Sequence, residues 1–279
     1  QNKNINKIKN LKDAEFSVFS QWGEDGIINW LTQKIPNLNK TFLEIGTQDY
    51  KESNTRFLLI SQNWKGFILE GSSEHVRALK KQNVYWKYDL SAFNFFINKE
   101  NINTILKKIK IKNKIGLLSI DIDGNDYWIL KEINNLEPDI IICEYNAVFG
   151  NKDEITVQYK NNFDRTKFHY SNLAFGASLP AFINLLKKKN YYFIGTNSNG
   201  VNAFFLKKNK FKYIKKYIKE IKSFNSKSKE SKDKFGNKTF IKEKNRIKKI
   251  SNVKVLNLKK NKVIKIKTLK SFKNNKWEN

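Results

Sequence analysis

Five short apolar runs, each closed by an acid and each separated from the next by a helix-like stretch, constrain this chain more than any other feature. They are Thr41–Ile45 with Glu44 near its end, Gly66–Leu69 before Glu70, Val84–Tyr88 before Asp89, Ile115–Ile120 before Asp121, and Asp139–Cys143 before Glu144. Between them, helical spacing is read over Thr55–Ser61, Ser72–Lys81, Asn101–Ile109 and Asp126–Ile133, after a first helix over Trp22–Ile35. Strict alternation of this kind implies right-handed crossovers and a parallel sheet covered on both faces. The nearly continuous apolar character of the runs fits strands buried on both sides. A later helix, Leu179–Lys188, leads to two further strands, Tyr191–Gly195 and Ala203–Leu206, joined by the turn residues 196–200. The expected fold is therefore α/β and Rossmann-like, with a seven-stranded sheet that ends in an antiparallel hairpin.

Charge divides the chain. Beyond residue 206 there are 26 Lys and one Arg against five acids, a net +22, which leaves +6 for the first 206 residues out of a total of +28. The expected organisation is an α/β domain over residues 1–206 and a Lys-rich C-terminal extension over 207–279. Within the extension, Lys212–Ser223 reads as a basic helix, Ser226–Lys234 as mobile polar chain, and Val253–Leu256 with Val263–Ile266 as a small hairpin. A basic extension of this size has two candidate anionic partners, a membrane surface or a nucleic acid. Lys enrichment by codon bias is the plain alternative. Cys143, the one cysteine, lies in an apolar run and reads as buried filler. No apolar stretch reaches the ~20 residues of a membrane span. Residues 1–13 lack the apolar core of a signal peptide, so a reducing cytoplasm is the expected compartment.

Ligands of an open parallel sheet bind beyond the carboxyl ends of its strands, at the point where strand order reverses. Five acids at one such edge repel one another unless a ligand or cation occupies the site. Phe42-Leu43-Glu44-Ile45-Gly46-Thr47 resembles the first motif of class I S-adenosylmethionine-dependent methyltransferases. Ser20-Gln21-Trp22-Gly23-Glu24-Asp25, Asp121-Ile122-Asp123-Gly124-Asn125-Asp126 and Glu144-Tyr145-Asn146 are similar to segments of the FkbM-type members, which methylate small oxygen-bearing substrates. The resemblance spans residues ~17–206. It implies S-adenosylmethionine as cofactor, with contacts from Gln21, Glu44, Gly46, Thr47, Glu70 and Asp89. Glu70 takes the ribose in that family, and Asp89 would lie near adenine. One departure is Gln48, where many class I enzymes carry a second glycine.

Asp121, Asp123 and Glu144 form a second group, suited to a hard cation such as Mg²⁺. The alternative reading makes Asp123–Asp126 a turn and helix cap. Asp121 by position and His169 by chemistry are the candidate catalytic bases. The insert Ala147–Ser178 holds Phe149, Tyr159, Phe163, Phe168, Tyr170 and Phe175, either a sugar-stacking lid or packing onto the sheet. The functional expectation is O-methylation of a sugar, a surface-glycan precursor or another small substrate. The rivals are an RNA-binding protein or RNA methyltransferase using the basic extension, and a non-catalytic binding protein with this fold. A nicotinamide site needs three spaced glycines after the first strand, and only Gly46 is there.

Overall fold

The computed structural model describes residues 7–228 and 230–274. A seven-stranded sheet forms its centre. Its strands are β1 (Thr41–Ile45), β2 (Lys65–Glu70), β3 (Leu90–Asn94), β4 (Lys114–Ile120), β5 (Glu137–Glu144), β7 (Tyr191–Thr196) and β8 (Asn202–Lys207), while the two-residue β6 (Ile155–Thr156) belongs to a smaller sheet. The order across the large sheet is β3-β2-β1-β4-β5-β8-β7. β1 to β5 run parallel, and β8 inserts antiparallel between β5 and β7. The order reverses at β1, which pairs with β2 on one side and β4 on the other.

Side chains alternate along each strand and so build two cores. On β1 and β4, Phe42 and Leu117 face one layer while Leu43 and Leu118 face the other. The first layer is closed by α1 (Glu24–Lys34), α2 (Arg56–Gln62), α3 (Ser73–Lys80) and α4 (Asn83–Lys87). The second is closed by α5 (Ile102–Lys108), α6 (Asp126–Glu132) and, after the four-residue α7 (Arg165–Phe168), by α8 (Leu179–Lys188). Ser72 caps α3 by accepting from the His75 amide, as a Ser before an amphipathic run should. Cys143 is fully buried, as expected of filler.

The third strand differs from the sequence expectation. Residues 83–87 are helical (α4), and the strand is Leu90–Asn94. Val84-Tyr85-Trp86 is a short apolar run whose periodicity suits either state. The true strand, Leu-Ser-Ala-Phe-Asn, lies at the sheet edge, buries only alternate residues, and so lacks the apolar signature of its neighbours. As a result Asp89 precedes β3, at the opposite end of the sheet from the other acids.

The Lys-rich extension does not hang free. Only α9 (Phe211–Ile214) of the expected basic helix forms. The chain then runs back along the body. Ile8 bridges Ile218, Thr196 donates to the Lys222 carbonyl (3.1 Å), and Tyr145 Oη donates to the Phe224 carbonyl (2.9 Å). The segment expected to be mobile is tied down by Arg246, at the start of α10 (Lys244–Lys249). Its guanidinium donates to Ser226 Oγ (3.0 Å), the Ser228 carbonyl (2.8 Å) and the Ser226 carbonyl. β9 (Lys254–Asn257) pairs with β10 (Lys262–Lys265) as the expected hairpin, and β9 also pairs with β6 of the insert. Ile247, Ile250, Val255, Ile266 and Leu269 interlock with Phe149, Ile155, Val157 and Leu173 in a third core, before α11 (Lys270–Lys273). A run of lysines hid this because their ammonium groups stay outside while the interspersed Ile, Val and Leu turn inward. No helix among the described residues is long and apolar enough to cross a membrane.

Candidate active site

One cavity of about 1120 Å³ runs along the carboxyl ends of the strands, from Phe96 beyond β3 to Asn202 on β8. Its midpoint is the switch between β1 and β4. There Gly46 adopts φ +80°, and a Cβ in its place would lie 1.8 Å from the Asp121 carbonyl oxygen. Only glycine allows both the left-handed turn and this approach of two strand ends.

On the β1–β2 side, the acids are spent on shaping loops. Glu44 is buried and accepts from Ser53 Oγ (2.7 Å), the Asn54 amide (3.0 Å), the Thr55 amide (3.2 Å) and Thr55 Oγ1 (2.5 Å). Burial still raises its pKa; these donors lower it without prevailing. Glu70 accepts from the amides of Thr47 (3.0 Å), Gln48 (2.9 Å) and Ser72 (2.8 Å). A carboxylate has about four acceptor positions, so Glu70 keeps one for a donor from the cavity. His75 stands beside it with Nδ1 3.6 Å from Oε1. Gln48 (φ +49°) and Tyr50 (φ +65°) both take the left-handed conformation that costs a non-glycine residue energy. The turn that a second glycine would ease is thus made by Gln48 itself.

Gln21 and Thr47 line the cavity. Gln21 is held at its rim by the two acids after it. Asp25 Oδ2 accepts from the amides of Val18, Phe19 and Ser20, and Glu24 Oε1 accepts from the side chains of Asn197 (2.7 Å) and Asn202 (2.8 Å). Asp89 is not at the site. It is exposed, paired with Lys65 at 3.3 Å, and the loop after β3 contributes Phe95, Phe96 and Ile97 instead. The sequence signal for those residues was present, as aromatic residues directly after a strand, but it was masked by the misplaced strand.

On the β4–β5 side the acids crowd together. Oxygens of Asp121, Asp123 and Glu144 all lie within 4.8 Å of one another. Burial, followed by the charges of Asp123 and Asp126, pushes Asp121 well above the ordinary carboxylate range, against a hydrogen bond with Glu144 and the pull of Arg165. Glu144 rises likewise through burial and the Asp121 charge, and its Oε2 is buried without a hydrogen-bond partner. Two acids this close and this buried favour holding a proton that an ordinary carboxylate would release. Asp126, the first residue of α6, closes the turn before the helix, while Asn125 at the cap position makes no capping bond. Asp126 accepts from the amides of Ile122 (2.9 Å) and Gly124 (3.0 Å) and bends the chain so that Asp123 (φ +56°) reaches the cavity.

The cation at this side is Arg165, which sequence reasoning missed. It donates to Asp123 Oδ1 (2.8 Å) and to the Asn172 carbonyl (2.9 Å), and it stacks 3.7 Å over the Phe175 ring. Nothing in the local sequence marked it, because its partners lie on the loop after β4 and across the insert. His169 does not line the cavity. Its Nδ1 sits 2.7 Å from Ser171 Oγ, its ring stacks on Tyr170, and burial lowers its pKa. Phe163 and Phe175 of the insert do line the cavity, with Ser226, Ser228, Glu230 and Arg246 of the extension.

No family model matches the chain, and no curated protein does. Among the solved structures to which it is similar are S-adenosylmethionine-dependent methyltransferases. One is from Clostridium acetobutylicum ATCC 824, with a TM-score of 0.43 and 13% identity over 68% of this chain and 92% of that one. The N-terminal domain of EvdMO1 with SAH bound has a TM-score of 0.43 and 8% identity, over 66% and 79% of the two chains. An O-methyltransferase from Bacillus cereus in complex with SAH has a TM-score of 0.35 and 14% identity, over 64% and 76%.

Proposed function

We propose that the protein is an S-adenosylmethionine-dependent O-methyltransferase of the FkbM-like kind, acting on a hydroxyl of a sugar, a surface-glycan precursor or another small substrate. The observation that carries this reading is the two-sided cavity at the β1–β4 switch point, with satisfied acids on one side and a crowded acidic cluster on the other. The similarity of the Ser20–Asp25, Asp121–Asp126 and Glu144–Asn146 segments to that family supports it. The reducing cytoplasm is the compartment that goes with it.

The residues present fit the cofactor. The remaining acceptor position of Glu70 suits a ribose hydroxyl, Phe95, Phe96 and Ile97 offer walls for adenine, and the Gly46–Gln48 backbone with Gln21 borders the place for the methionine part. S-adenosylmethionine, when bound, would supply an electrophilic methyl group for an acceptor oxygen. The chain's own work is to align the acceptor and to remove its proton. Asp121 is the base in this reading, because a carboxylate raised toward neutrality takes a hydroxyl proton more readily than an ordinary one. Asp121, Asp123 and Glu144 are also the residues that would hold a Mg²⁺ ion, which would acidify the hydroxyl. Arg165 competes for that place through Asp123.

Calorimetry with S-adenosylmethionine tests the first half, with micromolar binding expected, worth roughly 8 kcal/mol. Absence of binding at millimolar cofactor rejects the proposal. Incubation with methyl-labelled cofactor and cell extract, followed by mass spectrometry, identifies the acceptor. If label transfer survives exhaustive EDTA, the metal assignment fails and Asp121 acts as a base alone.

A further inference from the structure

The extension carries one feature that neither the cavity nor the cores use. Residues 231–241 form a narrow turn-back in which Lys232 bridges Lys238 in antiparallel fashion. Its root is buried and built. Ser231 is fully covered, accepts from the Ile241 amide (2.9 Å) through Oγ and from the Thr239 amide (2.9 Å) through its carbonyl, and Lys232 donates to the Ser171 carbonyl (3.2 Å). Its tip is equally defined. Asp233 Oδ1 accepts from the amides of Phe235 (2.8 Å) and Asn237 (2.9 Å), and Gly236 takes the left-handed turn at φ +88°. This construction holds the Phe235 ring 90% exposed, and Phe240 stands 55% exposed behind it. Around the two rings, Lys234, Lys238, Lys242 and Lys244 are exposed, against Glu243 and the turn-forming Asp233. The root adjoins the cavity, since Glu230 and Asn172, each next to a root residue, line it.

A single exposed apolar ring is ordinary on a protein surface; this one is set apart by the hydrogen-bonded turn that holds it outward and by the exposed lysines on either side of it in the chain. We propose that this finger docks the protein on an anionic lipid bilayer. The Phe235 ring enters the boundary between headgroups and acyl chains, and the flanking lysines lie at the level of the lipid phosphates. The net charge of +22 in the extension is complementary to such a surface. A nucleic acid is the less suitable partner, because single strands are gripped by several rings along a groove and the finger offers two rings on a narrow turn-back with no groove. Docking through the tip of a finger whose root adjoins the cavity would bring that side of the cavity near the membrane face, where a lipid-carried substrate would be met.

The test is co-sedimentation of the full chain with phosphatidylcholine vesicles, with and without phosphatidylglycerol, at low and physiological salt. Binding is expected only to the anionic vesicles. Phe235→Ser should lower the partition coefficient about tenfold, which is the loss of most of one buried aromatic side chain. Lys234→Gln and Lys238→Gln should each lower it up to about fivefold, and Phe235→Trp should restore or exceed wild-type binding. The Trp variant separates loss of docking from loss of fold. Wild-type partition by Phe235→Ser, or no sedimentation of the full chain, overturns the proposal. So does a finding that Phe235→Ser weakens retention on single-stranded RNA and leaves vesicle binding unchanged. Cofactor affinity of the same variants should equal wild type, so failure here is distinct from failure of the catalytic reading.

Discussion

Glu44 and Glu70 stand at the same sheet edge as Asp121 and Glu144, yet the two pairs live differently. Glu44 meets four donors from residues 53–55, and Glu70 meets three backbone amides. Asp121 and Glu144 meet chiefly each other, Asp123 and the field of Arg165. The loops at the strand ends make the difference. After β1 and β2 the chain turns back over the carboxylate and offers it N–H groups. After β4 the amides of Ile122 and Gly124 go to Asp126 instead, and after β5 Asn146 turns away to the carbonyls of Leu173 and Phe175. An acid at a strand end is therefore not a functional group by position alone. The supply of preorganised donors decides whether it becomes a post that shapes a loop or a reactive group held ready for a proton.

The largest effect that sharpens this contrast is expected at Asp121. Asp121→Asn should slow label transfer by about 10²–10⁴-fold, the usual contribution of a general base, while cofactor affinity changes by no more than a few-fold. A variant with near wild-type turnover would reduce Asp121 to the rank of Glu44.

Next in size is a stability comparison by urea denaturation. Glu44→Ala strands buried donors and should cost about 2–4 kcal/mol. Glu144→Gln removes a crowded charge and should stay within about 1 kcal/mol in either direction. A greater loss at Glu144 would reverse the assignment of roles.

The pH dependence of stability arises from the same crowding. Asp126 is pushed up to about 6, chiefly by burial, and Asp121 and Glu144 are well above their ordinary values. The native state thus holds protons that the unfolded chain releases near pH 4. The stability these groups contribute is complete below that pH and is lost as pH climbs, for Asp126 through about 6. Its share is on the order of 2–3 kcal/mol. The unfolding free energy of Asp126→Asn should accordingly vary less between pH 4 and 6.5 than that of wild type. Equal slopes would show that burial does not govern Asp126.

The smallest change is expected in binding. Glu70→Ala should weaken S-adenosylmethionine by ~1.5–3 kcal/mol in calorimetry, through the lost ribose contact and the released amides of Thr47 and Gln48. Unchanged affinity would leave Glu70 a structural post like Glu44.

Several elements were legible because local pattern and burial agree. β1, β4 and the helix Leu179–Lys188 sit where their apolar spacing puts them. The edge strand β3 escaped because half its residues face outward, and Asp89 was misassigned with it. The phenylalanines after β3 were hidden with it. Arg165 escaped for another reason, because its ionic partners Asp123 and Glu230 lie on segments far along the chain, a distance no local pattern spans.

By itself the sequence determined the alternating α/β architecture, the closing hairpin and the edge of the sheet where acids gather, since these arise from periodicity and chain order. Tertiary structure alone decided which acids are satisfied and which are crowded. It alone made a +22 extension into a wall of the cavity and half of a third core. Hydrogen-bond saturation and burial are properties of the space around a side chain, filled here by segments distant in sequence.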